Sequence, residues 1–324
     1  FQAQWPVRET RIMSGINKSL ILHGGLIALL LVLGFVLPPY HHGNLARVMV
    51  LAVYAMGYNV LFGYTGLLSL GHAMFFAAGM YGMGLSIQHL GFSAEAALLS
   101  GIVAAFVLST VVGLLALRTT GVAFMIVTLM FAQTGYLVIL YFGEWTRGDE
   151  GFVIQKASRV IAGFDVSDPA NRYMAALILF AICLALILKL VQNPFGKVLI
   201  AIRENEDRAR MLGYDIFRHK LVAVVVSGTI SGAAGAFYGL LFGYAGASFA
   251  TVQYSIFPLL WVLLGGAGTV TGPLVGALFM FYLIDITSGL TSAYMLFAGI
   301  ALVLLTLFAR QGLVGEIRRR FAPW

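Results

Sequence analysis

Ten long apolar stretches divide this chain, and that pattern excludes almost every water-soluble architecture. They run over Leu20–Leu37, Arg47–Phe62, Gly71–Gln88, Ala94–Leu117, Val122–Phe142, Tyr173–Leu190, Leu221–Phe242, Tyr254–Leu264, Pro273–Ile286 and Ser292–Phe308. An eighteen-residue stretch wound as a helix spans about 27 Å, close to the hydrocarbon thickness of a bilayer. Inside hydrocarbon the backbone must satisfy its own hydrogen bonds, so such runs are read as helices. Only 10% of residues are charged, where soluble domains average about 25%. The expected fold class is an all-α polytopic integral membrane protein, a single transmembrane domain over 1–324 with about ten crossings.

Orientation follows from lysine and arginine, which short cytoplasmic loops retain. With the N terminus inside, ten crossings return the C terminus to the same side. Fifteen of the 20 basic residues then fall in the cytoplasm: Arg8, Arg11, Lys18, Arg118, the seven from Lys189 to Lys220, Arg310, Arg318, Arg319 and Arg320. Arg47, Arg147, Lys156, Arg159 and Arg172 remain outside. The net charge of +7 is thus a topology signal; no basic face with readout groups suggests nucleic-acid binding. The first apolar run ends at Pro38-Pro39 without a small-x-small cleavage pattern and is expected to be a retained helix.

Between two apolar runs lies a charged segment, 193–219, that is expected in water on the cytoplasmic side. Asn193 suits an N-cap, Pro194 the first helical position and Gly213 the residue past a helix end, which predicts one helix of about five turns. Along it Ile202, Glu206, Ala209 and Gly213 fall on one narrow face, read as a docking face. Cys183 is the single cysteine, set mid-helix where packing is its expected role. No metal-ligand spacing and no phosphate-binding glycine loop occurs in the sequence, so no cofactor and no ATP hydrolysis by this chain are expected.

The Glu206, Ala209, Gly213 spacing resembles the coupling loop of ATP-binding-cassette importer permeases. The blocks GYNVLFGYTGLLSLGHAMFFAAGMYG (57–82), SGTISGAAGAFYG (227–239) and LLGGAGTVTGPLVGA (263–277) likewise resemble the LivM-type permeases of branched-chain amino acid transporters. The resemblance implies an inner-membrane importer with a second, LivH-like permease, two ATPase subunits and a periplasmic substrate-binding protein. It also implies that Arg203, Glu204, Glu206, Ala209 and Gly213 couple the chain to the ATPases. A small amino acid, branched-chain in type, is the expected solute, with a small organic acid or urea-like amide as the alternative. A passive channel or ion-coupled carrier would need no capped docking segment. An intramembrane enzyme would need facing catalytic groups, and the polar residues here are too sparse for one.

Two glycine-rich interruptions, Gly63-Tyr64-Thr65-Gly66 with Ser69, and Gly265-Gly266-Ala267-Gly268-Thr269, cut apolar stretches. Paired breaks in the two halves of a transporter point to a midplane pathway; the competing reading is that the glycines let helices pack closely. Asn59, His72 and Gln133 are costly in lipid and are expected to face inward along the same pathway, while Asp285 lies near a helix end where interfacial water can solvate it. In the external loop, 143–172, LivM-type relatives read Thr-Gly-Gly-x-Asp-Gly. Thr146, Gly148 and Gly151 fit, but Arg147 replaces a glycine. Arg147 and Asp149 are therefore candidate contacts for the binding protein, or Arg147 for an anionic solute.

Overall fold

The computed structural model describes residues 9–291, five positions between 293 and 303, and 312–321. Apart from those five positions the expected crossing Ser292–Phe308, with Arg8 and Arg310, lies outside the described residues. The helices are α1 (Glu9–Val36), α2 (Pro39–Asn59), α3 (His72–Leu90), α4 (Ala94–Ala116), α5 (Val122–Tyr141), the short α6 (Gly143–Thr146), α7 (Pro169–Gln192), α8 (Pro194–Glu204), α9 (Glu206–Met211), α10 (Ile216–Phe242), α11 (Val252–Gly265) and α12 (Gly272–Ser288), followed by a helix at Gly312–Phe321. Among the described residues five helices are long and apolar enough to cross a membrane, and three shorter ones are apolar. The chain is a multi-pass membrane protein.

α2 begins eight residues before the apolar stretch that announced it, because Pro39 sits in the first turn where its missing N–H costs nothing. It continues through a π-helical turn, Val60–Tyr64, giving a span of 25 residues, Tyr40–Tyr64, or about 37 Å. That is one full crossing before the first glycine break.

Antiparallel neighbours give the bundle two distinct ends. At one, the loop end, β1 (Phe152–Val153) pairs with β4 (Tyr244–Ala245), and Tyr40 at the start of α2 donates to Asp285 Oδ2 at 3.1 Å. β2 (Val160–Ile161) and β3 (Phe164–Asp165) form a second two-residue ladder there. At the other, the short-helix end, α8 and α9 lie beneath the residues that join α2 to α3, α4 to α5 and α11 to α12. Among the described residues Arg118 and the seven basic residues from Lys189 to Lys220 lie toward the short-helix end, and Arg47, Arg147, Lys156, Arg159 and Arg172 toward the loop end.

α3 runs through the middle and is buried along most of its length. It can pack so closely because facing positions lack side chains. A Cβ on Gly79 would stand 1.9 Å from the Gly232 carbonyl oxygen of α10, and one on Gly101 of α4 would stand 2.4 Å from that of Gly79. Close backbone approach of this kind is how membrane helices gain dispersion energy where lipid removes the hydrophobic drive. α2 is enclosed by α7, α10, α11 and α12, whereas α5 turns most of its surface outward. Asn193 stands at the N-cap position of α8, but its side chain makes no capping hydrogen bond; side-chain caps come from Asp168, which accepts from Ala170 N and Asn171 N, and from Asp215, which accepts from Arg218 N.

Candidate functional site

The predicted five-turn helix is two helices. Asn205 adopts φ −161°, ψ 107° and its side chain accepts from Arg208 N, so it ends α8 and caps α9. The propensity of asparagine to cap outweighs continuation of the helix. α9 ends in a Schellman turn: Gly213 at φ +88° donates to Arg210 O, and Tyr214 N donates to Ala209 O.

This break also divides the docking face. Ile202 and Ala209, 3% and 2% exposed, close a small apolar cluster with Val198 and Ile216. Glu206 turns back to the buried Lys220 of α10, with Nζ to Oε2 at 2.5 Å. The groups left facing out are the C-terminal tip of α9, where Met211 and Leu212 are 81% and 70% exposed, together with Glu204, Asp207 and Arg210. Of the face read as a docking surface, Ile202 and Ala209 therefore sit on the chain's own bundle, Glu206 is half-buried against Lys220, and Gly213 is exposed.

The two glycine breaks lie at this same end of the bundle. Arg203 of α8 donates through Nη1 to the Gly63 carbonyl at 2.5 Å and through Nη2 to Glu204 at 2.7 Å. A Cβ on Gly66 (φ +77°) would stand 2.8 Å from Arg203 Cγ, and one on Gly268 (φ +75°) 3.0 Å from Arg203 Nη1. The guanidinium thus lies in a cradle whose walls come from both breaks. Asn59, 1% exposed, ties the breaks together: its Nδ2 donates to Thr269 O at 2.8 Å and its Oδ1 accepts from Gly268 N at 3.0 Å. A cleft of about 570 Å³ opens beside the cradle, lined by Thr65–Leu68, the start of α5, residues 202–207 and Lys220.

The other expected pathway residues are occupied in holding this region. Thr65 Oγ1 donates to Val60 O, Ser69 Oγ accepts from Gly71 N and Tyr58 donates to Ser69 O. Thr269 Oγ1 donates to Gly266 O and accepts from Gly272 N, folding the second break on itself. Gly265 and Gly266 lie against Gly272 and Gly312. His72 is fully buried, with Nε2 at 2.8 Å from Ser227 Oγ. Ser227 spends its one proton on Gly57 O at 2.6 Å, so His72 must donate from Nε2, while its buried Nδ1 has no hydrogen-bond partner among the described residues. These hydrogen bonds satisfy the backbone that the breaks would otherwise leave bare. Gln133 does not join them: it is exposed on the outer face of α5.

At the loop end a second cleft, about 510 Å³, is lined by Gln88, Arg147, Phe152, Gln155 and Ser158 among others. Arg147 holds φ +61°, a left-handed conformation suited to glycine. Thr146 fixes the turn, donating to Ile139 O at 2.6 Å and accepting from Gly148 N. Asp149 is exposed beside it. Sequence reading missed Arg159. It is buried, donates to the Leu240 and Leu241 carbonyls and so caps α10 from the loop, and burial pushes its guanidinium pKa down. Asp165 is held below the ordinary carboxylate range by hydrogen bonds from Ser167. Among the described residues no group of three or more His, Cys, Asp or Glu is placed to hold a metal ion.

Residues 42–307 match the family described as branched-chain amino acid transport system, permease component. The high-affinity branched-chain amino acid transport system permease proteins LivM of Salmonella typhimurium and Escherichia coli are each 29% identical over 294 residues, covering 83% of this chain and 69% of the relative. A probable LivM of Methanocaldococcus jannaschii is 36% identical over 91 residues, covering 28% of this chain and 26% of that protein. No solved structure matches.

Proposed function

The chain belongs to the permease-component family of branched-chain amino acid transport systems, and from that premise we propose that it is a membrane subunit of an ATP-driven importer for branched-chain amino acids. The observation that carries the reading is the α8–α9 pair: a capped, charged segment between two crossings, pinned beneath the bundle yet presenting an apolar tip. We infer that this end is cytoplasmic and that Met211, Leu212 and Tyr214 form the knob that an ATPase subunit grips, with Glu204, Asp207 and Arg210 on its rim. The chain provides the path and the lever, and separate ATPases provide the energy.

The importer is completed by a second, LivH-like permease, two ATPases and a periplasmic binding protein, in the inner membrane. Gln133 supports the placement of the second permease. An amide exposed on a crossing helix is costly in lipid, and a sister subunit covering the outer face of α5 would remove that cost. The solute pathway then lies between the two permeases, with Gln133 at its wall. The cleft beside Arg147 and Asp149 is the proposed contact for the loaded binding protein.

The test is uptake by the five reconstituted polypeptides in vesicles. Leucine, isoleucine and valine should be concentrated with ATP, and urea or a small organic acid should not compete. ATP-driven uptake of urea or a small organic acid, with no leucine uptake, would move the substrate to the alternative class. Met211→Asp and Leu212→Asp should abolish ATPase association while the permease still inserts; retained association would remove the knob.

A further inference from the structure

We propose that Arg203 is the positioning residue that transmits movement of α8 to both glycine turns at once. The inference deepens the importer reading and rests on it. Three segments meet at this one side chain: Gly63 and Gly66 from the α2–α3 break, Gly268 from the α11–α12 break, and α8 itself. α8 is rigid up to Asn205, whose extended backbone separates it from the exposed α9 tip. The second anchor, Glu206 to Lys220, ties α9 to α10 and touches neither break. Arg203 therefore provides a direct polar link from the short helices to the breaks. Its position also accounts for the glycines. A side chain at 66 or 268 would displace the guanidinium, and both positions hold a positive φ that glycine tolerates.

The hydrogen bonds divide the guanidinium between the two sides. One nitrogen is fixed inward on a carbonyl and another outward on Glu204, which is largely exposed beside the tip. A planar fork with several donors can hold both directions; a lysine ammonium concentrates its charge at one point. A push on α8 displaces Gly63, and through Asn59 the Gly268–Thr269 turn must follow.

The experiment compares Arg203→Ala, Arg203→Lys and Gly268→Ala in the complete reconstituted complex, reading basal ATPase, ATPase stimulated by loaded binding protein, and solute carried per ATP. Gly268 lies in the other break and outside the exposed surface of α8–α9, so its variant tests the cradle without altering an ATPase contact. Transmission predicts that all three assemble with near-normal basal hydrolysis, while the stimulated-to-basal ratio falls about tenfold in Arg203→Ala and Gly268→Ala. Arg203→Lys should fall between these and wild type. A merely structural anchor lowers assembly and leaves the ratio in the assembled fraction unchanged, which overturns the proposal. So does a normal ratio in Gly268→Ala. If the wild-type complex itself shows no stimulation, the importer reading fails. Hydrogen exchange on the chain in nanodiscs then decides the cradle: Arg203→Ala must raise exchange in residues 66–71 and 266–271 together, and a rise in one turn alone refutes it.

Discussion

Replacing Asn59 with alanine measures how much of the bundle rests on one amide. The side chain is 1% exposed and makes two hydrogen bonds to backbone of the opposite break, at 2.8 and 3.0 Å. Removing it leaves the Thr269 carbonyl and the Gly268 N–H without those partners. Each orphaned buried group costs about 1 to 3 kcal/mol, and truncation adds a small cavity, so a loss of about 2 to 5 kcal/mol is expected once partial hydration from the neighbouring cleft is allowed for. Asn59→Asp should do at least as much harm, because it keeps one acceptor, loses the donor and places a carboxylate against Thr269 O. The assay is unfolding free energy by steric trapping in bicelles, alongside uptake per assembled complex. Had Asn59 lined the pathway as its sequence position suggested, alanine would change KM for the solute and leave unfolding untouched. That outcome refutes the stitching role.

Three further outcomes are expected. Arg147→Gly should stabilise the external loop by about 1 kcal/mol, because glycine accepts the φ of +61° without strain; a thermal melt of the permease reads the gain, and a loss would show that the guanidinium makes a compensating contact. Ser227→Ala should cost about 1 to 3 kcal/mol by leaving the Nε2–H of fully buried His72 and the Gly57 carbonyl unpaired, and normal stability would deny the donor role of that histidine. A cysteine at Lys156 should react with a membrane-impermeant maleimide from outside and one at Asp207 only after permeabilisation, with native Cys183, which is buried, silent in both; the reverse labelling would invert the orientation.

Much of the fold was legible because hydrocarbon leaves a chain few choices. An apolar run of spanning length can satisfy its backbone only as a helix, and α4, α5, α7 and α10 follow their stretches within a few residues. The short-range signals of the site were ambiguous in a specific way. Asn205 sits inside a strongly helical run, and only its side-chain bond to Arg208 N shows that it caps instead of continuing. Alanine at 209 can serve a partner or the home bundle equally well; Ile216, eleven residues from Asn205 and beyond a turn, decides in favour of the bundle by closing the apolar cluster, while Gly213 stays exposed. The depth of the glycine breaks was hidden for another reason. Nothing in the stretch from Arg47 to Phe62 indicated that α2 would start at Pro39, and those eight extra residues put its break at the end of a 25-residue span.

That placement changes what the breaks are suited to do. A break at the midplane exposes half-helix ends to a solute, and its backbone groups would need to stay open toward the path. Here nearly every such group is engaged: Gly63 O by Arg203, Gly268 N and Thr269 O by Asn59, Gly266 O by Thr269, Ser69 O by Tyr58. Such a region leaves few backbone groups open to a solute, and turns cross-bonded in this way suit a lever. The α3, α4 and α10 core is fixed by backbone contacts too close to slide past a side chain, while α5 is loosely held and turned outward. Force entering at the α9 tip therefore meets stiff elements all the way through Arg203 and the two turns, and the compliant element within reach is the helix proposed to face the sister subunit. Stiffening that helix should then slow transport without altering ATPase docking. A disulfide between cysteines placed in α5 and α4 at their packed faces is the direct test, and unchanged uptake in the oxidised complex would assign the movement elsewhere.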